Sequence, residues 1–193
     1  ECSAMSIKTL GEQIDIHGGG KDLIFPHHEA EIAQSEGATK KIPFARYWIH
    51  SGTVAYQGAK MSKSKANLVM VSDLLKKYSA NAIRYLLLSN HYQTSWEYLE
   101  KDLKKAQEKV NKIEEVLNQE MPKLVRHDRK DSHPEPRIKY GAGFDSGSIL
   151  NEFLTILDNN LDTPKALQFL SALAKNKNLQ ELKKYYRILG FTI

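Results

Sequence analysis

Three groups in the first third of the chain have residue types and spacings that could do chemistry. Cys2 sits beside Glu1, and the run FPHHEAEI carries His27, His28 and Glu31. Thiolate, imidazole and carboxylate are all good zinc ligands. His27 and Glu31, four apart, share one face of a helix, and so do His28 and Glu31, three apart. Two ligands at helical spacing are a recurrent way to hold a metal, and the spacing leaves both pairs open. A solvated histidine and glutamate helix beside an unrelated cysteine would read the same. The second group is HGGGKD, His17 to Asp22, whose glycines would let a flat ring or a phosphate approach the backbone closely. It is neither the dinucleotide fingerprint nor the P-loop pattern. The third is KMSKSKAN, Lys60 to Asn67, where Lys60 and Lys63 stand three apart among small hydroxyl residues. Lysines placed this way act as movable point charges for a polyphosphate.

These groups need elements to hold them. QIDIH alternates Ile14 and Ile16 with polar residues and runs into the glycines, which predicts a strand and a loop. FPHHEAEIAQSEGAT predicts a helix with Pro26 in its first turn and Gly37 at its end. YWIHSGTV predicts a second strand ending near a glycine. After the lysine stretch the period becomes helical. VSDLLKKYSANAIRYLLLSNHY holds two helical stretches, with Ser72 and either Ser79 or Asn81 as N-caps. Leu99, Leu103, Ala106, Val110, Ile113 and Leu117 recur at three- and four-residue steps, a long amphipathic helix. The proline- and glycine-bearing stretch PKLVRHDRKDSHPEPRIKYGAGFDSGS reads as a linker. ILNEFLTILDNNLDTPKALQFLSALAK and LQELKKYYRILGF return to helix.

Composition narrows the class. The 193 residues are 41% hydrophobic and 26% charged, which suits one or two globular units rather than a disordered chain. No run approaches the ~18 apolar residues of a membrane span. Cys2 is the single cysteine, which excludes an intrachain disulfide and suits a reducing compartment. The net charge of +5 is uneven: residues 60–130 carry fifteen basic and nine acidic side chains, whereas residues 1–59 carry five and seven. That excess fits either a solvated helical face or contact with polyanions such as nucleotide phosphates or RNA. The chain opens on ECSAMS, without an initiator methionine or a leader, and this reads as a cut within something longer.

Taken together, ECSAM, DIHGGGKDLIFPHHEAEIAQSEGA, YWIHSG, KMSKSKAN and LDNNLDTPKAL resemble the cysteinyl-tRNA synthetases, class I aminoacyl-tRNA synthetases, in order and near the family's spacing. The resemblance implies an α/β segment followed by all-α structure: the C-terminal half of a Rossmann-type nucleotide-binding domain, a helical stem and a helix bundle. It divides the chain into residues 1–58 with the zinc site, 59–125 with the lysine loop and stem, 126–148 as linker and 149–193 as bundle segment. It assigns Cys2, His27 and Glu31 as ligands of one zinc, so that His27 rather than His28 is the histidine ligand. Lys63 is implied to contact ATP and the developing charge at the α-phosphate, with Lys60 as its helper. His17, Gly18, Gly19 and Asp22 are implied to line the adenosine and amino-acid side of the pocket, with Trp48 and His50 near it.

The implied activity is ATP-dependent activation of L-cysteine to cysteinyl-adenylate, with magnesium, and transfer to the 3′ end of a tRNA. Zinc would select the cysteine thiolate, and the enzyme would be a cytoplasmic monomer. The family's His-x-Gly-His motif and its remaining cysteine ligand do not occur in these residues. Lys65-Ala66-Asn67 stands where the family's loop continues Leu-Gly-Asn, and NNLDTP replaces a more acidic run. The segment alone is therefore expected to be inactive. Two further readings share these features: a cysteine ligase that joins the adenylate to an amino sugar, and a non-catalytic zinc- and RNA-binding module.

Overall fold

A computed structural model describes residues 1–61, 67–118 and 146–193. Lys63 and nearly all of the linker expected at 126–148 lie outside them. The chain forms two compact units, an α/β unit of Glu1–Lys77 with Asn90–Asp102 and a helical unit of Tyr78–Ser89 with Leu103–Ile193.

The α/β unit begins with helix α1 (Cys2–Leu10) and strand β1 (Ile14–Gly20). A 3-10 turn over Lys21–Leu23 and a wide π turn over Ile24–His28 lead into α2 (Glu29–Thr39). Phe25 is extended, with φ −133° and ψ 136°, so the helical backbone starts at Pro26 as the sequence predicts. The far end differs. Gly37 lies inside α2, and Lys40 takes the left-handed cap at φ 59°. Thr39 supports that ending locally: its Oγ1 donates to the Ser35 carbonyl at 2.8 Å and accepts from Lys41 N at 3.2 Å.

Strand β2 (Ala45–Ser51) pairs in parallel with β1, placing Trp48 opposite His17 and His50 opposite Gly19. Ile14, Phe44 and Ala45 form its buried core, with Ile32 and Trp48 packed against them. The expected YWIHSGTV strand stops at Ser51. Val54 belongs to β3 (Val54–Tyr56), which pairs with β4 (Ala59–Lys60) and with β5 (Trp96–Glu97) in a second small sheet. Gly52 N donates to the Tyr92 carbonyl at 2.7 Å across that turn. Helix α3 (Val71–Leu74) is a single turn whose N-cap is Met70, so Ser72 does not cap it.

The helical unit holds α4 (Ala80–Leu88), most of α5 (Glu100–Asn118), α6 (Ser146–Asp158), α7 (Thr163–Lys175) and α8 (Leu179–Ile188). Ser79 caps α4, accepting from Ala82 N at 3.1 Å. Asn81 is instead a buried junction: its amide donates to Glu114 Oε1 and to the Thr192 carbonyl, both at 2.7 Å. Leu103, Ala106, Val110, Ile113 and Leu117 of α5 are all buried, as their spacing predicts, while Leu99 is 38% exposed. The stretch ILNEFLTILDNNLDTPKALQFLSALAK, expected to return to helix, forms two helices separated at LDNNLDTP. Asn160 and Leu161 have positive φ, and Asp162 caps α7 by accepting from Lys165 N at 3.1 Å, just ahead of Pro164. Phe153, Phe169 and Tyr185 pack together in this unit, and Tyr186 stacks on Phe191 at 4.4 Å. Among the described residues no helix is long and apolar enough to cross a membrane.

Candidate functional site

Helix α2 and the β1–β2 pair converge on one carboxylate. Glu31 is 4% exposed. A buried carboxylate is costly unless partners surround it, and Glu31 has several. His17 Nε2 donates to Glu31 Oε2 at 3.0 Å. His28 Nε2 lies 4.0 Å from the same oxygen, and His27 Nε2 lies 3.9 Å from Oε1. Donor atoms of Cys2, His27 and Glu31 all lie within 4.8 Å of one another, and so do those of His17, His28 and Glu31. The two sets share Glu31 and leave its oxygens facing different ways. Helix α1 brings Cys2 to this point, and Ser3 Oγ ties α1 to α2 by donating to Gln34 Oε1 at 2.9 Å.

The residues present fit a zinc ion. The set Cys2, His27 and Glu31 supplies the thiolate, imidazole and carboxylate that zinc prefers. Cys2 and His27 are exposed, whereas Glu31 is held from behind. His17 matches the outer partner that fixes a metal-binding carboxylate.

Strand register explains the second layer. His50, opposite Gly19, reaches His28, and the two rings share a hydrogen bond between His28 Nδ1 and His50 Nε2 at 2.8 Å. A Cβ on Gly19 would lie 2.7 Å from His28 Cε1, so the space beside this glycine is filled by the imidazole rather than left open to a ligand. Trp48 lies 4.7 Å from His17 and stacks on His50 at 4° and 6.0 Å between centroids. Burial, and then the neighbouring His17 and His50, hold the His28 pKa below the usual imidazole value, with Glu31 opposing.

The residues expected on the nucleotide side fall in the same unit. Asp22 follows the glycines, and Lys60 Nζ donates to its Oδ2 at 2.5 Å. That hydrogen bond holds the Asp22 carboxyl below the usual range. The carboxylate folds back over Gly20, where a Cβ would collide with Asp22 Oδ1. A Cβ on Gly18 would lie 3.4 Å from the Ile49 carbonyl, an ordinary contact. Lys63 lies outside the described residues. The His28–His50 bond and the seat of the His28 ring on Gly19 were not visible as a pattern, because they depend on which β2 residue pairs with Gly19. Phe44, fully buried 5.7 Å from His17, also carries no motif.

A family model described as the class I (C) tRNA synthetase catalytic domain matches residues 1–108. The chain belongs to this family. Relatives named cysteine–tRNA ligase include one from Thermodesulfovibrio yellowstonii, 44% identical over 180 residues, and one from Thermotoga petrophila, 39% identical over 176 residues. The alignments cover 92% and 91% of this chain, which spans about 36% of the length of either relative. Among solved structures, the methionyl-tRNA synthetase of Mycobacterium tuberculosis bound by methionyl-adenylate aligns with a TM-score of 0.51 at 21% identity, over 90% of this chain and 34% of that one. That likeness concerns the fold, and it agrees with an α/β segment followed by helices.

Proposed function

We propose that this chain belongs to a cysteine–tRNA ligase, in which it supplies most of the zinc site and part of the ATP site. The observation that supports this best is the convergence of Cys2, His27 and Glu31 donor atoms within 4.8 Å in a chain of this family. These three residues would hold zinc, which when bound lowers the pKa of a coordinated thiol and so favours cysteine over serine, whose hydroxyl is a poor ligand. Such selection reaches beyond the ~10²-fold that an apolar pocket gives between near-isosteres.

The chain's own side chains then have distinct roles. Glu31 is the anchoring ligand, and His17 orients it through the 3.0 Å hydrogen bond. His28 and His50 close the base of the site as a hydrogen-bonded pair on Gly19. Asp22 holds Lys60 from the 3-10 turn that follows β1. Lys63 is the residue assigned to the α-phosphate, where its charge counts most as the transition state forms. The substrates would be L-cysteine, ATP with magnesium, and a tRNA, in a cytoplasmic monomer.

The test is ATP–pyrophosphate exchange by the whole protein, with zinc measured in parallel. Cysteine-dependent exchange, with about one zinc per chain, is the expected result. Exchange that ignores cysteine would remove the proposed activity. Cysteine-dependent exchange with an amino sugar rather than tRNA as acceptor would redirect it to the thiol-pathway ligase. Full cysteine selectivity in the zinc-free protein would remove the role given to Cys2, His27 and Glu31.

A further inference from the structure

The helical unit contains a cavity of about 660 Å³ between α4, α5 and α7, and it shares no residue with the site above. Buried parts of Tyr85, Ile113, Leu167 and Ala174 form its floor. Its mouth carries Lys109 and Lys112 from α5 and Lys175 from the last turn of α7. Among the described residues no aspartate or glutamate lines it. Lys109 Nζ stands 5.6 Å from the centre of the Tyr85 ring, at the edge of the floor.

We propose that this cavity is a binding site for an organic anion with an apolar body, the anionic group meeting the lysines. Three features argue for this occupant. The volume is that of a small-molecule site, roughly 300–1,000 Å³. The floor is apolar and aromatic, so it rewards a body that leaves water. The charged lining residues are all of one sign and stand on both walls, which attracts an anion and repels a cation. An RNA backbone would use the lysines but leave the floor empty, because phosphodiesters have no apolar part to bury.

Dodecanoate, below its micelle concentration, is the probe, titrated calorimetrically into the whole protein. One molecule should bind per chain. Dodecyltrimethylammonium, with the same tail and the opposite charge, should bind at least tenfold more weakly. The Lys112→Glu, Lys175→Glu double variant should also lose at least tenfold while keeping its thermal midpoint, since both side chains are exposed. Ala172→Trp, which puts an indole beside the cavity, should abolish binding. Equal binding of the cationic amphiphile would overturn the proposal, as would a lysine double variant that binds like the parent. So would a short RNA duplex that displaces dodecanoate and still binds Ala172→Trp with undiminished affinity. Dodecanoate affinity that falls as protein concentration rises would assign the cavity to a second copy of the chain and sink the proposal equally.

Discussion

The α/β unit and the helical unit bury different things. In the α/β unit the buried apolar cluster is Ile14, Phe44 and Ala45, and around it lie buried polar groups: Ser3, His28, Glu31 and Ser35. In the helical unit the fully buried side chains include Tyr185, Tyr186, Phe153, Val110 and several leucines. Its buried polar contacts include the Asn81 junction and the hydroxyl of Tyr186, which donates to Glu114 Oε1 at 3.0 Å. Apolar burial gives roughly 25 cal/mol per Å², whereas a buried carboxylate costs free energy until it is partnered. The helical unit thus has the composition of a stability element. The α/β unit gives interior space to polar groups, among them the Glu31 that both candidate ligand sets share.

Five substitutions or conditions would break or sharpen that contrast. The largest effect is expected from Tyr186→Ala, which empties a fully buried aromatic site and removes the bond to Glu114. A loss of about 3–5 kcal/mol is expected in denaturant unfolding of the helical unit, with zinc affinity unchanged; a shift in zinc affinity would show that the two regions are not separable in this way. Next is Glu31→Gln, which removes the charge and one oxygen of the carboxylate shared by both candidate ligand sets. Zinc affinity, measured by competition with a chelator, should fall more than about 100-fold.

His17→Ala should cost less, about 10–100-fold in zinc affinity, because it removes the partner that orients the ligand and not the ligand. His17→Gln, able to donate from a similar position, should recover part of the loss, which simple loosening of the fold would not allow.

A pH series separates the regions by another route. Burial, and then Glu114, push the Tyr186 pKa well above its ordinary 10.0. A group raised in the folded state contributes stability that is complete below its unfolded value and is lost above it. Stability of the helical unit should therefore hold to about pH 9.5 and fall by about 1.4 kcal/mol per unit above pH 10 from this group. Tyr186→Phe should make that fall shallower. The smallest effect belongs to Asp22→Asn. Both partners of the Asp22–Lys60 pair are well exposed, so the thermal midpoint should not move, while the apparent KM for ATP in pyrophosphate exchange should change; a substantial drop in midpoint would show the pair to be structural.

Much of this was legible from residue order. The α5 stripe from Leu103 to Leu117 was readable because helix geometry puts residues three and four apart on one side. The start of α4 was readable in part: a serine or asparagine ahead of an apolar helical run can satisfy an orphan amide, which left Ser79 and Asn81 open, and Ser79 is the one that caps. The metal set was readable in part: spacing allowed either His27 or His28 to accompany Glu31, and resemblance to the family singled out His27. In the fold, both face Glu31. His27 joins Cys2 on the exposed side, and His28 turns inward to His50.

Other features had no local signature. Gly37 looked like a helix end because glycine is the usual left-handed residue there, yet Lys40 occupies that conformation with help from Thr39. The stretch holding LDNNLDTP read simply as helix, whereas Asp162 caps a second, separate helix there. The glycines after His17 read as a place for a ligand, while Gly19 is closed by the His28 ring.

The sequence by itself determined which side chains could ligate a metal, which helical faces would be buried, and that the chain resembles the cysteinyl-tRNA synthetases. Those properties follow from residue type and from periodicities within a single element. Only the tertiary structure decided that Glu31 is shared, with His17 on one oxygen and His27 near the other, and that His28 is set against Gly19 and His50. It alone placed Lys60 on Asp22 across 38 residues of chain. Such contacts depend on strand register and on the packing of helices against strands, which join residues far apart in sequence and leave no period behind to be read.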